Sequence, residues 1–142
     1  MAFTDLSPRK TKQDNTRELA RDFIWYRLGK ASDCPSKTAE NIRRLSDELE
    51  VQHGVFLDSM CHQLEITADS AHSKFVQIAD EVFREGINWG RIVAVFTFGG
   101  RLAKNLQQSG EEKGEEIAEW LGDYMTKLSD WIQSHGGWVS AT

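Results

Sequence analysis

Asn88-Trp89-Gly90-Arg91 is the stretch best equipped for recognition chemistry. Arg91 offers a planar fork of N–H donors that matches a carboxylate. Gly90 carries no side chain, so another backbone can come close beside it. Asn88 is a good helix N-cap, which puts the arginine in the first turn of the helix that follows. Ile78, Val82 and Phe98 would supply an apolar floor nearby. A guanidinium above an apolar floor suits an amphipathic helix that bears one acidic residue. Taken alone, the same four residues also read as a cap, a buried indole, a close helix crossing and a solvated arginine.

The sequence gives little support to catalysis. His53, His62, His72 and His135 are scattered over different segments, and Cys61 and His62, as direct neighbours, do not face each other on a helix. No glycine-rich phosphate loop follows a strand. Cys34 and Cys61 lack metal-ligand spacing, and ligation through Glu-x-x-His pairs is not expected. The chain therefore reads as no enzyme, with no cofactor and no bound metal.

The elements that must hold these residues are helical throughout. Apolar residues recur with helical periodicity, and no strand alternation persists. Residues 1–13 are polar and expected to be flexible, leaving one domain over 14–142. Asn15 and Glu18 resemble a capping pair for a helix over 15–29, in which Leu19, Phe23 and Tyr26 share a face and Gly29 ends the run. After a short linker over 30–37, a second helix starts near Ser36 with the stripe Thr38, Ile42, Leu45 and Leu49. Gly54 is expected to break it, so that Val55, Phe56, Met60 and Leu64 form a separate shorter piece. A capped turn at Thr67–Ser70 leads to a helix over about 70–84 with Phe75, Ile78, Ala79, Val82 and Phe83 on one stripe. Gly86 is placed to end that helix in a left-handed cap.

The next helix, about 89–107, is apolar nearly all round at Trp89, Ile92, Val93, Val95, Phe96 and Phe98, the mark of burial on every side. Ser109 with Glu112 predicts a second capping box. It opens a helix carrying Ile117, Trp120, Leu121, Tyr124, Met125 and Leu128. Trp131 and Ile132 suggest another short helix, Gly136-Gly137 a break, and Trp138 a last segment. The expectation is an all-α bundle of about eight helices wrapped around one buried helix.

Composition sets outer limits. The 142 residues are 39% hydrophobic and 27% charged, ordinary for a soluble globular domain. The net charge of −5 comes largely from Glu111, Glu112, Glu115, Glu116 and Glu119, which argues against a nucleic-acid partner. No signal peptide opens the chain, so reduced thiols and a cytoplasmic setting are the default. The run Ile92–Gly100 is well short of the roughly twenty residues a bilayer span needs. A membrane anchor beyond Thr142 is compatible with this sequence, absent or removed here.

Taken together, the segments resemble the Bcl-2 family of apoptosis regulators. Glu81–Gly100 is similar to that family's homology region one, with Asn88-Trp89-Gly90-Arg91 as the signature tetrapeptide. Residues 130–138 resemble region two, and 42–48, with Ser46 where glycine is commoner, resemble region three. Residues 14–28, with Trp25-Tyr26, resemble region four. The resemblance implies a bundle around a buried central hairpin of the family's helices five and six. It implies a pro-survival regulator that holds the region-three helix of pro-apoptotic Bcl-2 relatives (Bak/Bax-like and region-three-only proteins) in a surface groove. Carried over by position, that groove uses Leu49, His53, Phe56, Leu57, Met60, Ile78, Val82, Asn88, Gly90, Arg91 and Phe98, with Arg91 pairing to the ligand's aspartate. His53 stands where tyrosine is common. The chain's own region-three helix would present Ile42, Leu45, Asp47 and Leu49. The implied location for the full-length protein is the mitochondrial outer membrane or endoplasmic reticulum, with membrane association through an anchor only. A homodimer through the large residues of the first helix is also left open. The main alternative is a Bak/Bax-like effector that permeabilises the outer mitochondrial membrane. A helical enzyme or small-ligand carrier is the rival from another class, and it lacks the convergent titratable groups it would need.

Overall fold

The computed structural model describes residues 16–30, 33 and 36–138. Within them lie α1 (16–27), α2 (Lys37–Gln63), α3 (Ala71–Val82), α4 (Trp89–Gln108), α5 (Gly114–Lys127) and α6 (Ser129–Ser134). No strand occurs among the described residues. The expectations for residues 1–13, the Asn15 cap, Cys34 and anything after Trp138 fall outside them.

The core is built on α4. Eleven of its residues, from Ile92 to Leu106, are buried. Around it, α1 contributes Leu19, Phe23 and Ile24, α3 contributes Phe75 and Ala79, and α5 contributes Ile117, Leu121 and Met125. Each outer helix buries one stripe, whereas α4 buries nearly its whole circumference, so α4 must sit at the centre. Phe23 lies edge-on to Phe96 at 5.6 Å, and Trp25 is half-buried against the core, so these large α1 residues pack internally. The Trp138 indole N–H donates to the Thr16 hydroxyl at 2.9 Å, which ties the last described residue to the first.

Several ends form as their residues dictate. Gly29 has φ 77° and closes α1, with bonds from Gly29 N to Tyr26 O and from Lys30 N to Trp25 O. Ser36 caps α2 by accepting from Ala39 N at 3.1 Å. Thr67 and Ser70 cross-bond in the turn before α3.

Three expectations are corrected. The helix count is six among the described residues, in part because α2 does not break at Gly54 but runs unbroken for 27 residues. A glycine inside a helix costs about 1 kcal/mol relative to alanine, so a tertiary contact must offset it. That contact is Arg101: a Cβ on residue 54 would stand 2.9 Å from its Nη2. Second, the Ser109–Glu112 box does not form. Ser109 caps the end of α4 with its hydroxyl on Asn105 O, Glu112 pairs with Lys30 at 3.3 Å, and α5 begins only at Gly114. Third, α3 ends at Val82 with Phe83 as its C-cap, and Gly86, φ 129°, lies in the turn beyond it.

Both tyrosines of the chain are shifted upward. Burial, reinforced by the bond its hydroxyl donates to Asp80 at 2.6 Å, raises Tyr124. For Tyr26 the bond to Asp47 at 2.7 Å leads and burial follows. Folded values above the ordinary 10.0 mean that the unfolded phenols ionise first. Their contribution to stability is therefore complete below pH 10 and is lost as pH rises through the folded values. An alkaline titration followed by phenolate absorbance should show both midpoints above 10. Ionisation of either at 10 in the folded protein would contradict the geometry.

Candidate functional site

Two helices flank the start and middle of α4. α2 packs most extensively on α4, α3 packs on α4 and α5, and among the described residues α2 and α3 meet each other at few positions or none. The surface between them has α4 as its base. On α2, Leu49, His53, Phe56 and Met60 recur at spacings of four, three and four, one stripe of a helix. Leu49, Leu57 and Met60 are half-buried, His53 is exposed, and Phe56 is 64% exposed. From α3 come Ile78 and Val82, half-buried and packed against the core. An apolar side chain as open as Phe56, at the edge of half-buried apolar neighbours, is what a surface awaiting a partner offers.

Asn88, Gly90 and Arg91 sit together at the mouth of α4. Asn88 caps the helix, its side-chain oxygen accepting from Arg91 N at 2.8 Å. The Arg91 guanidinium donates through Nη1 to the Gly86 carbonyl at 3.1 Å, which fixes the direction of the fork. Among the described residues Arg91 makes no ion pair with an acidic side chain. Phe98, expected in the apolar floor, lies deepest of these residues. It is only 3% exposed and stacked on Phe75 at 6.4 Å, so its ring lies beneath the surface as part of the core.

The chain's own region-three residues face inward. Ile42 is 2% exposed, and Leu45 and Leu49 are half-buried. Asp47 accepts from the Tyr26 hydroxyl at 2.7 Å and from Arg27 Nη2 at 3.1 Å. Its neighbour Ser46 is fully buried between Arg27 and Thr97, where only a small side chain fits. Arg43 forms a close two-pronged pair with Asp22 of α1.

A charged cluster beside these residues escaped the sequence reading. Glu50 pairs with Arg101 and lies 3.8 Å from Arg27 Nε, while Arg101 Nη1 is 3.4 Å from Asp58. The signal was present: Glu50, Gly54 and Asp58 are spaced by four and so share one stripe. Glu50 and His53 also stand at Glu-x-x-His spacing, but Glu50 is taken up by the arginines, and the described residues hold no metal-ligating cluster. Two other clefts are present among the described residues. One of about 620 Å³ is lined by charged residues of α1 and α5, including Arg17, Arg21 and Glu115. The other, about 270 Å³, is lined by Cys61 and residues from the ends of α2 and α4. Burial pushes the Cys61 thiol up from its ordinary value, which disfavours its thiolate.

Residues 42–138 match the model of the apoptosis regulator proteins of the Bcl-2 family. The chain belongs to the Bcl-2 family. It is 38% identical over 99 residues to Bcl-2-like protein 1 of Rattus norvegicus, a match covering 68% of this chain and 42% of that protein. It is 33% identical over 141 residues to apoptosis regulator R1 of Xenopus laevis, covering 97% of this chain and 61% of the relative. The matched stretch thus takes in about half the length of these two Bcl-2 relatives. Among solved structures, the zebrafish pro-survival protein NRZ in its apo form superposes with a TM-score of 0.80 at 34% identity, covering 89% of this chain and 88% of the other. Trichoplax adhaerens trBcl-2L2 bound to trBak BH3 superposes with a TM-score of 0.80 at 33% identity, covering 89% and 94%. The Bcl-2 fold expected from the sequence is therefore the observed one, and the family's regulators are not enzymes. No described helix is long and apolar enough to cross a membrane.

Proposed function

We propose that this Bcl-2 family member is a pro-survival regulator that holds the region-three helix of a pro-apoptotic relative between α2 and α3, over the mouth of α4. The observation that carries the reading is Arg91, held by Asn88 and Gly86 at the end of a half-buried apolar surface and unpaired with any described acid. Likeness to trBcl-2L2, whose structure contains trBak BH3, supports it. The ligand would lay about four apolar side chains along the α2 stripe and against Ile78 and Val82, each burial worth roughly 1.5–3 kcal/mol. Association costs roughly 4–15 kcal/mol, so nanomolar to micromolar affinity follows from how well the pockets fit. Arg91 would meet the ligand's aspartate and set the register of the helix along the cleft. In that role the protein acts at the outer mitochondrial membrane, keeping its partner from permeabilising it.

Arg91→Ala should weaken a region-three peptide by about tenfold, the value of one charge-assisted bond, with an unchanged melting temperature. Titration calorimetry beside thermal unfolding reads both. Equal affinity for the mutant and the unaltered chain would remove Arg91 from the site. Dye-release liposomes separate the role from that of an effector: added to leaking vesicles, a survival protein suppresses the leak and an effector increases it.

A further inference from the structure

We infer that Arg101 is a positioning residue for the partner-helix site: by bridging Glu50 and Asp58 across Gly54, it holds the distal half of α2 in line. The inference rests on the reading above that this half, with Phe56, Leu57 and Met60, is one wall of the site.

Glu50, Gly54 and Asp58 follow one another at four-residue steps, so they rise along a single stripe of α2 about one turn apart. A glycine inside a long helix loosens the backbone at that point. Arg101 comes from α4, the buried centre of the fold, and its guanidinium lies over that glycine, 2.9 Å from where a Cβ would be. One arm pairs with Glu50 below the glycine, and the other lies 3.4 Å from Asp58 above it. A planar fork can make both pairings at once, whereas a lysine ammonium is a single point. The Glu50 and Arg101 side chains are 13% and 19% exposed, so solvent screens their pairing little. Arg27 of α1 also approaches Glu50, its Nε 3.8 Å from the carboxylate without a hydrogen bond, and adds a second positive charge there. The upper arm has Asp58 alone and is 43% exposed there, so it is the separable link. With the link made, the distal half of α2 is ordered before any partner arrives, and the partner does not bear the cost of ordering it.

The test combines hydrogen exchange across α2 with calorimetry against a synthetic region-three peptide containing the aspartate. Arg101→Gln and Asp58→Asn should each speed exchange in residues 55–63 while leaving 37–49 protected. Each should weaken the peptide by about threefold to tenfold. Asp58→Asn should add little in the Arg101→Gln background, and Arg101→Lys should restore only part of the loss. Asp58→Asn, at the more open end, keeps the test decisive if Arg101→Gln unfolds the chain. Unchanged exchange over 55–63 in Asp58→Asn, with peptide affinity intact, overturns the positioning role and leaves the groove standing. Exchange that rises equally over the whole of α2 overturns it too. If the unaltered chain binds no such peptide, the groove reading falls, and the positioning role falls with it whatever the exchange shows.

Discussion

Val82→Glu should abolish capture of a region-three helix, weakening it by a hundredfold or more, while the free protein stays folded. Val82 is the last residue of α3 and is only half-buried. In the free protein a carboxylate there can turn into water, so the cost to stability is small. Once a partner helix covers the wall, the same carboxylate loses its water among Ile78 and the ligand's apolar side chains. An uncompensated charge in such a place costs about 3 kcal/mol or more, which is the hundredfold. Circular dichroism should be unchanged and calorimetry should show no binding heat. Normal affinity in this mutant would mean the cleft lies elsewhere on the surface.

Phe96→Ala should be the most destabilising single change in the core. The Phe96 ring is fully buried, edge-on to Phe23 at 5.6 Å and to Trp138 at 5.9 Å. It therefore joins α4 to α1 and to the last described residue at one point. Removing it leaves a cavity that three separate segments would have to collapse to fill, so a loss of about 3–5 kcal/mol is expected. That is a large share of the roughly 5–15 kcal/mol that holds a domain of this size. Urea unfolding should show a lower midpoint at an unchanged slope. A loss under about 1 kcal/mol would mean the site repacks, and that the centre of the bundle is looser than its burial implies.

Local features were legible where a residue acts through its own neighbours. Asn88 caps because its side chain reaches three residues ahead, and the α3 stripe is apolar because one face of it is covered. The all-round apolarity of α4 is enough to place it at the centre. What stayed hidden depends on partners far along the chain. Gly54 reads as a break until Arg101 is laid over it. Ser109 and Glu112 have the spacing of a capping box, but Glu112 is drawn to Lys30, 82 residues away. Phe98 follows Arg91 at helical spacing, but its stacking on Phe75 of α3 depends on how the two helices pack. At the candidate site, Asn88 and Arg91 could be read from sequence because the motif holds cap and charge together. Glu50 and Asp58 could not, because acids on a helix ordinarily read as solvent-facing.

The continuity of α2 has a mechanical consequence. Its first half holds Ile42 and Asp47, the chain's own recognisable face, and its second half holds Phe56, Leu57 and Met60. On one unbroken rod these are in series. Pulling the first half out to be read by another protein would strip Asp47 from Tyr26 and Arg27 and would carry the second half away with it. In the proposed role, being captured and capturing would therefore compete, and the bonds that hold Asp47 to Tyr26 and Arg27 weigh against the first.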